Sequence, residues 1–168
     1  MNMEYFVGEK YVRKFLNANI EWTLLEPLVK RSALTYLRPL LGFRFFEDLL
    51  TKYNDETLSA IEIELVEMIK YIQGLRVKYE SVYETSIQSS NKGFMFQNGD
   101  NMNSSTMEDL DKLRGDLSRK IEDDENVMLS WLIFNKDDFP LFTDTTNDEI
   151  QPPLNNGYPS DGDNFSIL

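Results

Sequence analysis

At 168 residues, with 41% hydrophobic and 12% aromatic side chains, the chain is too apolar for wholesale disorder, and long enough for one domain burying roughly two thirds of its unfolded surface. Cysteine and histidine are both absent, which excludes disulfides, a thiolate nucleophile, Cys-ligated zinc, the commonest general acid/base and the commonest transition-metal ligand. A formal net charge of −12 argues against phosphate-contacting affinity for nucleic acid, because that affinity comes from Lys and Arg releasing counterions.

The charge is unevenly placed. Residues 1–80 carry 11 basic and 12 acidic side chains, whereas residues 81–168 carry 6 and 17. MNMEYFVGEK contains Glu4, Glu9 and Lys10 and no apolar run long enough for a signal-peptide core. No later segment approaches the ~18 uninterrupted apolar residues of a spanning helix, so the expectation is a soluble, intracellular protein with no membrane contact.

After Asn19, a plausible cap, Trp22, Leu25, Leu28 or Val29, Ala33, Tyr36 and Leu37 recur at helical spacing. Pro27 falls within about the first two turns, where its missing N–H does least harm, and Pro39 predicts that this helix stops at about residue 37. Gly42 can supply a turn, and FRFFEDLLTKY reads as a short second helix with Phe45, Phe46, Leu49 and Leu50 on its apolar side.

Leu58, Ile61, Leu65, Met68 or Ile69, Ile72, Leu75, Tyr79 and Val82 then mark a long amphipathic helix. Gly74 inside it costs about 1 kcal/mol of propensity against Ala and marks a point that bends or admits a close neighbour. SSNKGFMFQNGDNMNSST, 89–106, is a glycine-containing loop or a short hairpin around the triplet Phe94-Met95-Phe96. Ser105 and Glu108 have capping-box spacing, and Met107, Leu110, Leu113, Leu117, Ile121, Met128 and Trp131 or Leu132 continue a second long helix to about Phe134.

From Thr143 the pattern stops. TDTTNDEIQPPLNNGYPSDGDNFSIL has five acidic residues, no Lys or Arg, three prolines and isolated apolar residues at Ile150, Leu154, Tyr158, Phe165, Ile167 and Leu168. Such a segment cannot form its own core; it is either a disordered acidic tail or an extended arm whose apolar side chains fill separate pockets on another subunit. The predicted organisation is therefore all-α: a helical bundle over 1–142 with two long and two shorter helices, and an extended acidic C-terminal arm over 143–168.

Motifs that carry chemistry are missing. Glu62, Glu64 and Glu67 are close in sequence, but Glu62 and Glu64 lie about 200° apart on a helical wheel, and bundle carboxylate metal sites need a histidine partner. Asp161, Asp163 and the run Glu122 to Glu125 lack calcium-loop spacing, and there is no phosphate loop, dinucleotide turn or nucleophile elbow. The expectation is a protein with no catalytic residue, no metal site and no cofactor.

With these elements placed, KRSALTYLRPLLGFRFFEDLL, a long helix, the glycine-containing loop SNKGFMFQ, another long helix and the closing WLIFNKDDFPLF resemble the head-to-tail connector, or adaptor, proteins of tailed bacteriophages infecting Bacteroidetes, including the ring proteins of crAss-like phages. The resemblance covers roughly residues 16–142 and rests on the Tyr36 to Gly42 corner with its aromatic and acidic short helix, and on the WLxxN and FP pieces. It implies a virion protein, assembled in the host cytoplasm, forming a ring, usually of twelve copies, below the portal and around the DNA channel. Its partners would be the portal, neighbouring copies and other neck or tail ring proteins, with DNA passing through unbound.

Phe43, Phe45 and Phe46 cannot all face one core, so one or two of them are candidates for a subunit boundary, with Phe94, Phe96 and the six apolar arm residues as further interface candidates. The main rival is an acidic inhibitor that mimics DNA and occupies a nucleic-acid-binding enzyme, for which the negative charge is poorly spaced along any one face.

Overall fold

The computed structural model describes residues 5–16, 20–87, 95–96, 103–104 and 107–142, with side chains over 5–16, 20–82 and 107–142. The described chain is an all-α bundle. A single turn, α1 (Glu9–Val12), precedes α2 (Trp22–Arg31), a π-helical stretch (Ser32–Leu37), α3 (Arg38–Leu41) and α4 (Phe43–Asn54). The long α5 (Ala60–Ile87) and α6 (Met107–Phe134) follow, and a 3₁₀ turn at Lys136–Asp138 leads into a closing segment that ends at Phe142. Between the long helices, Met95–Phe96 (β1) pairs antiparallel with Asn103–Ser104 (β2), a short hairpin contact.

Two expectations for the first helix are corrected. Its N-cap is Glu21, which makes no side-chain cap hydrogen bond, rather than Asn19, which lies outside the described residues. It also does not stop before Pro39 but runs unbroken from Trp22 to Leu41. In α register the proline ring would meet the Thr35 carbonyl, and its missing N–H would leave that carbonyl unpaired. The chain avoids this by widening the preceding turns: the Arg38 N–H donates to Ala33, five residues back, and Pro39 enters at the first turn of α3. Just before the widened stretch, the Val29 carbonyl of α2 accepts hydrogen bonds from the Ser32 hydroxyl (2.7 Å) and from the fully buried Gln73 side-chain amide of α5 (3.1 Å).

The corner is made by Gly42 alone. Its φ of 84° and ψ of 141° belong to a region side-chain-bearing residues rarely adopt. Its carbonyl accepts the Phe46 N–H at 3.0 Å, so α4 begins with no spacer after α3. The end of α4 is a Schellman motif: the Thr57 N–H donates to the Lys52 carbonyl, the Glu56 N–H to Tyr53, and Glu56 has φ 57°.

α5 is the central helix because it is apolar on two sides. Leu65, Ile69, Ile72, Leu75 and Val82 join Leu37, Leu41, Phe45, Phe46 and Leu49 from the first hairpin and Leu110, Leu117, Ile121, Met128 and Leu132 of α6 in the main core. Val77 instead packs with Leu25, Leu28 and Val29 of α2 and Val7, Val12 and Ile20 of the N-terminal segment. The N-terminal stretch is thus part of the bundle: Phe6 is fully buried, with its ring 5.5 Å from those of both Phe46 and Tyr53.

Candidate protein interface

The two stretches that carry the sequence resemblance meet at one end of the bundle. Phe45, three residues past the Gly42 corner, has its ring centroid 5.6 Å from Phe139 and 5.7 Å from Phe142, both buried in the closing segment. Trp131, in the last turn of α6, stacks tilted on Phe139 at 5.7 Å. The FP piece therefore folds back from the end of α6 and seals the core against the corner.

This placement separates the three phenylalanines. Phe45 and Phe46 are core residues, 3% and 0% exposed, which corrects their candidacy as interface residues: both rings are already covered within the chain. Phe43 points the other way, about 200° around α4 from Phe45, and is 60% exposed. The Arg38 guanidinium lies 3.8 Å from its ring centroid and reaches Glu47 at 2.9 Å. Arg44 beside it is exposed and makes no ion pair among the described residues.

Leu141, one residue from Phe142, is exposed at the same end, as are Ile133 and Phe134 where α6 finishes, the latter 87% open to solvent. These residues form the main exposed apolar ground near the corner. The side chains of Phe94 and Phe96, and Ile150, Leu154, Tyr158, Phe165, Ile167 and Leu168, lie outside the described residues. Leu141, Ile133 and Phe134 were missed by sequence reasoning, and the signal that could have found them is the off-stripe position of Ile133 and Phe134 beside Leu132.

The acidic run on α6 does not present one uniform face. Glu122 and Asp123 are exposed, but Glu125 turns inward and accepts from Arg76 of α5 at 2.7 and 3.1 Å, with 14% of its side chain exposed. Arg76 also lies 4.4 Å from the Tyr36 ring centroid, and the Tyr36 hydroxyl donates to Glu80 at 2.8 Å, which in turn pairs with Arg31 at 3.5 Å. Burial, reinforced by the Glu80 carboxylate, pushes the Tyr36 hydroxyl pKa up. The π-helical stretch is thereby tied to α5, and through Arg76 to α6, by one chain of polar contacts.

Glu62 and its neighbours are structural. Ser59 and Glu62 form a capping box at the start of α5: the Ser59 N–H donates to the Glu62 carboxylate at 2.8 Å and the Glu62 N–H to the Ser59 hydroxyl at 3.4 Å. Lys52 of α4 bridges Glu62 and Asp48, each at 2.8 Å. Burial of Glu62 by itself raises its pKa, but the Lys52 ammonium and the Ser59 hydrogen bonds outweigh burial, and the carboxyl is held below its usual range. Among the described residues no three acidic side chains are grouped to hold a metal ion, and no helix is long and apolar enough to cross a membrane.

A family model spans residues 37–151, from the end of the π stretch through the corner, both long helices and the closing segment. The chain belongs to the family of unknown function DUF6712. No curated protein and no solved structure matches the chain. The DUF6712 match contains the Gly42 corner, Phe43, Arg44 and the Phe45, Phe139 and Phe142 contact, and leaves α1 and α2 outside.

Proposed function

We propose that this DUF6712 protein is a non-enzymatic structural adaptor of a tailed bacteriophage, a ring subunit at the head-to-tail junction that joins the portal to neighbouring copies and to further neck or tail ring proteins. The observation that carries the reading is the meeting of the Tyr36 to Gly42 corner with the closing WLIFNKDDFPLF segment through Phe45, Phe139 and Phe142. The two most characteristic pieces of the connector resemblance make one structural unit, beside which Phe43, Phe134 and Leu141 stay uncovered. Exposed aromatic and aliphatic side chains beside a rigid corner suit a heterologous contact that closes into a ring, where one face of each copy meets a different face of the next.

The acidic balance fits a subunit around a DNA channel, because a net charge of −12 repels DNA and lets it pass without being retained. The inward turn of Glu125 toward Arg76 weighs against the DNA-mimic alternative, which needs its carboxylates outward along one face.

The deciding experiment is native mass measurement on the purified protein alone and then mixed with the portal protein of the same genome. The adaptor reading expects co-migration at the mass of a multi-copy ring on the portal. Failure to associate across several salt concentrations, with binding instead to a basic DNA-binding enzyme, replaces it with the mimic.

A further inference from the structure

Two stretches of opposite charge each lie beside uncovered apolar side chains. From Pro27 to Phe46 there are four basic residues, Lys30, Arg31, Arg38 and Arg44, and no acidic one; from Ile121 to Asn135 there are four acidic residues and no basic one. At the corner Arg38 is engaged by Glu47, while Arg44 stands exposed next to the Phe43 ring. On the second half of α6, Glu122 and Asp123 are exposed on the side away from the buried stripe of Ile121, Met128 and Leu132, and that side also carries Ile133, Val127 and Phe134, the last two 64% and 87% exposed. A helix face turned to water does not ordinarily carry three large apolar side chains within two turns. The cations that precede this face are engaged within the chain, Arg119 by Asp116 and Lys120 at the Tyr71 ring, and Lys136 just beyond it is outnumbered by Asp137 and Asp138.

We infer that these are the two halves of one contact between copies of this chain: the Phe43 and Arg44 corner of one copy docks on the Asp123, Val127 and Phe134 face of α6 of the next. Within one copy they cannot meet. Phe45 and Phe46 face the main core from α4, and Ile121, Met128 and Leu132 face it from α6. Phe43 lies about 200° around α4 from Phe45, and the acidic face lies on the far side of α6, so both patches point away from the core between them. Neither patch suits a copy of itself, since a two-fold contact sets Arg44 against Arg44, or Glu122 and Asp123 against their own kind. Charge thus selects the head-to-tail pairing, in which Arg44 meets Asp123 and Glu122 while the Phe43 ring covers Val127 and Phe134. Each added copy still presents one free patch of each kind, so copies add in series until a ring closes. This deepens the adaptor reading, on which it rests for a neighbouring copy as the occupant, by naming the faces that meet.

The test is sedimentation velocity on the full chain without the portal, as a concentration series. The parent should pass from monomer to species larger than a dimer, with association weakening in high salt. Phe43→Ala with Arg44→Glu removes the corner patch, and Asp123→Ala with Phe134→Ala removes the α6 patch; all four positions are exposed, and unchanged helical circular dichroism verifies the fold. Each variant alone should lose about tenfold or more in association. An equal mixture of the two should recover it but stop at the dimer, because one intact corner meets one intact α6 face. A parent that stays monomeric, a mixture that stays monomeric, or a single variant that associates as well as the parent each overturns the inference. Absence of portal binding with self-association intact removes the adaptor reading alone, and a portal-bound ring formed by either variant removes this inference alone.

Discussion

Gly74 of α5 lies against the ring of Phe15: a Cβ at position 74 would stand 2.5 Å from Phe15 Cε2 and 2.7 Å from Cδ2 and Cζ. The glycine inside the long helix thus admits a close neighbour. It is where the N-terminal segment seats itself on the bundle, next to Tyr11, whose ring lies 5.5 Å from Phe15 and whose face receives the Lys70 ammonium at 4.9 Å.

That contact reverses the sign of an ordinary substitution. On helix propensity alone, Gly74→Ala stabilises by about 1 kcal/mol. In the full chain it should instead lower the thermal midpoint, because the ring must move, and in a Phe15→Ala background it should raise it. A double-mutant cycle from chemical denaturation reads the coupling, expected at about 1 kcal/mol or more; additive effects would show that Phe15 does not pack there.

Gly42 makes the opposite kind of demand. Nothing lies within 4 Å of a Cβ placed there, so the whole cost of Gly42→Ala is backbone conformation at φ 84°. The expected loss is about 1–3 kcal/mol, measured as a shift in denaturation midpoint. A neutral substitution would mean that the corner can be made with other dihedrals.

Glu56 occupies the left-handed position of the Schellman motif, where glycine is usual. Glu56→Gly should raise stability by up to about 1 kcal/mol, since the left-handed conformation costs a side-chain-bearing residue about that much. The side chain is exposed, so little packing is lost.

The Glu62 carboxyl is held below its usual range by Lys52 and Ser59, so its contribution is present above the pKa of the unfolded chain and fades as pH falls through the lower folded value. Glu62→Gln should therefore be less stable than the parent at neutral pH, by about 1 kcal/mol, and the gap should close on acidification below about pH 4. Lys52, whose pKa is raised by its hydrogen bonds to Asp48 and Glu62, loses its share only as pH rises through its folded value. Denaturation curves of the two proteins across pH check the sign.

Leu65 and Leu113 occupy equivalent stripe positions on the two long helices, but Leu65 is fully buried and Leu113 only partly. Leu65→Ala should cost about 2–5 kcal/mol and Leu113→Ala clearly less. Equal losses would mean that α6 packs its stripe more tightly than it does here.

Most of the helix positions were legible in the sequence because they follow from the spacing of apolar residues. The stripe from Leu65 to Val82 and the one from Leu110 to Leu132 both lie in the main core, and α6 ends at Phe134 as its pattern does. The Ser59 and Glu62 capping box was also readable from its spelling and was passed over for Ser105 and Glu108, of which Ser105 lies outside the described residues.

The second face of α5 was not legible. Its stripe reads Lys70, Gln73 and Val77, and two polar residues hide the fact that α1 and α2 cover it. Only the assembled bundle supplies the Val29 carbonyl that makes a buried Gln73 tolerable and the Tyr11 ring that receives Lys70. Likewise, local rules predict that Pro39 ends a helix, since they weigh only a ring against one carbonyl; the packing of Leu37 and Leu41 in the core holds the helix together and lets a widened turn absorb the proline.

Which of three neighbouring phenylalanines faces outward is also a tertiary decision. By itself the sequence determined that this is an all-α chain without cysteine or histidine, because residue type and periodicity are local properties. Only the closing segment, folding Phe139 and Phe142 onto Phe45, decided that Phe43 is left uncovered, because burial depends on which distant side chains arrive at a surface.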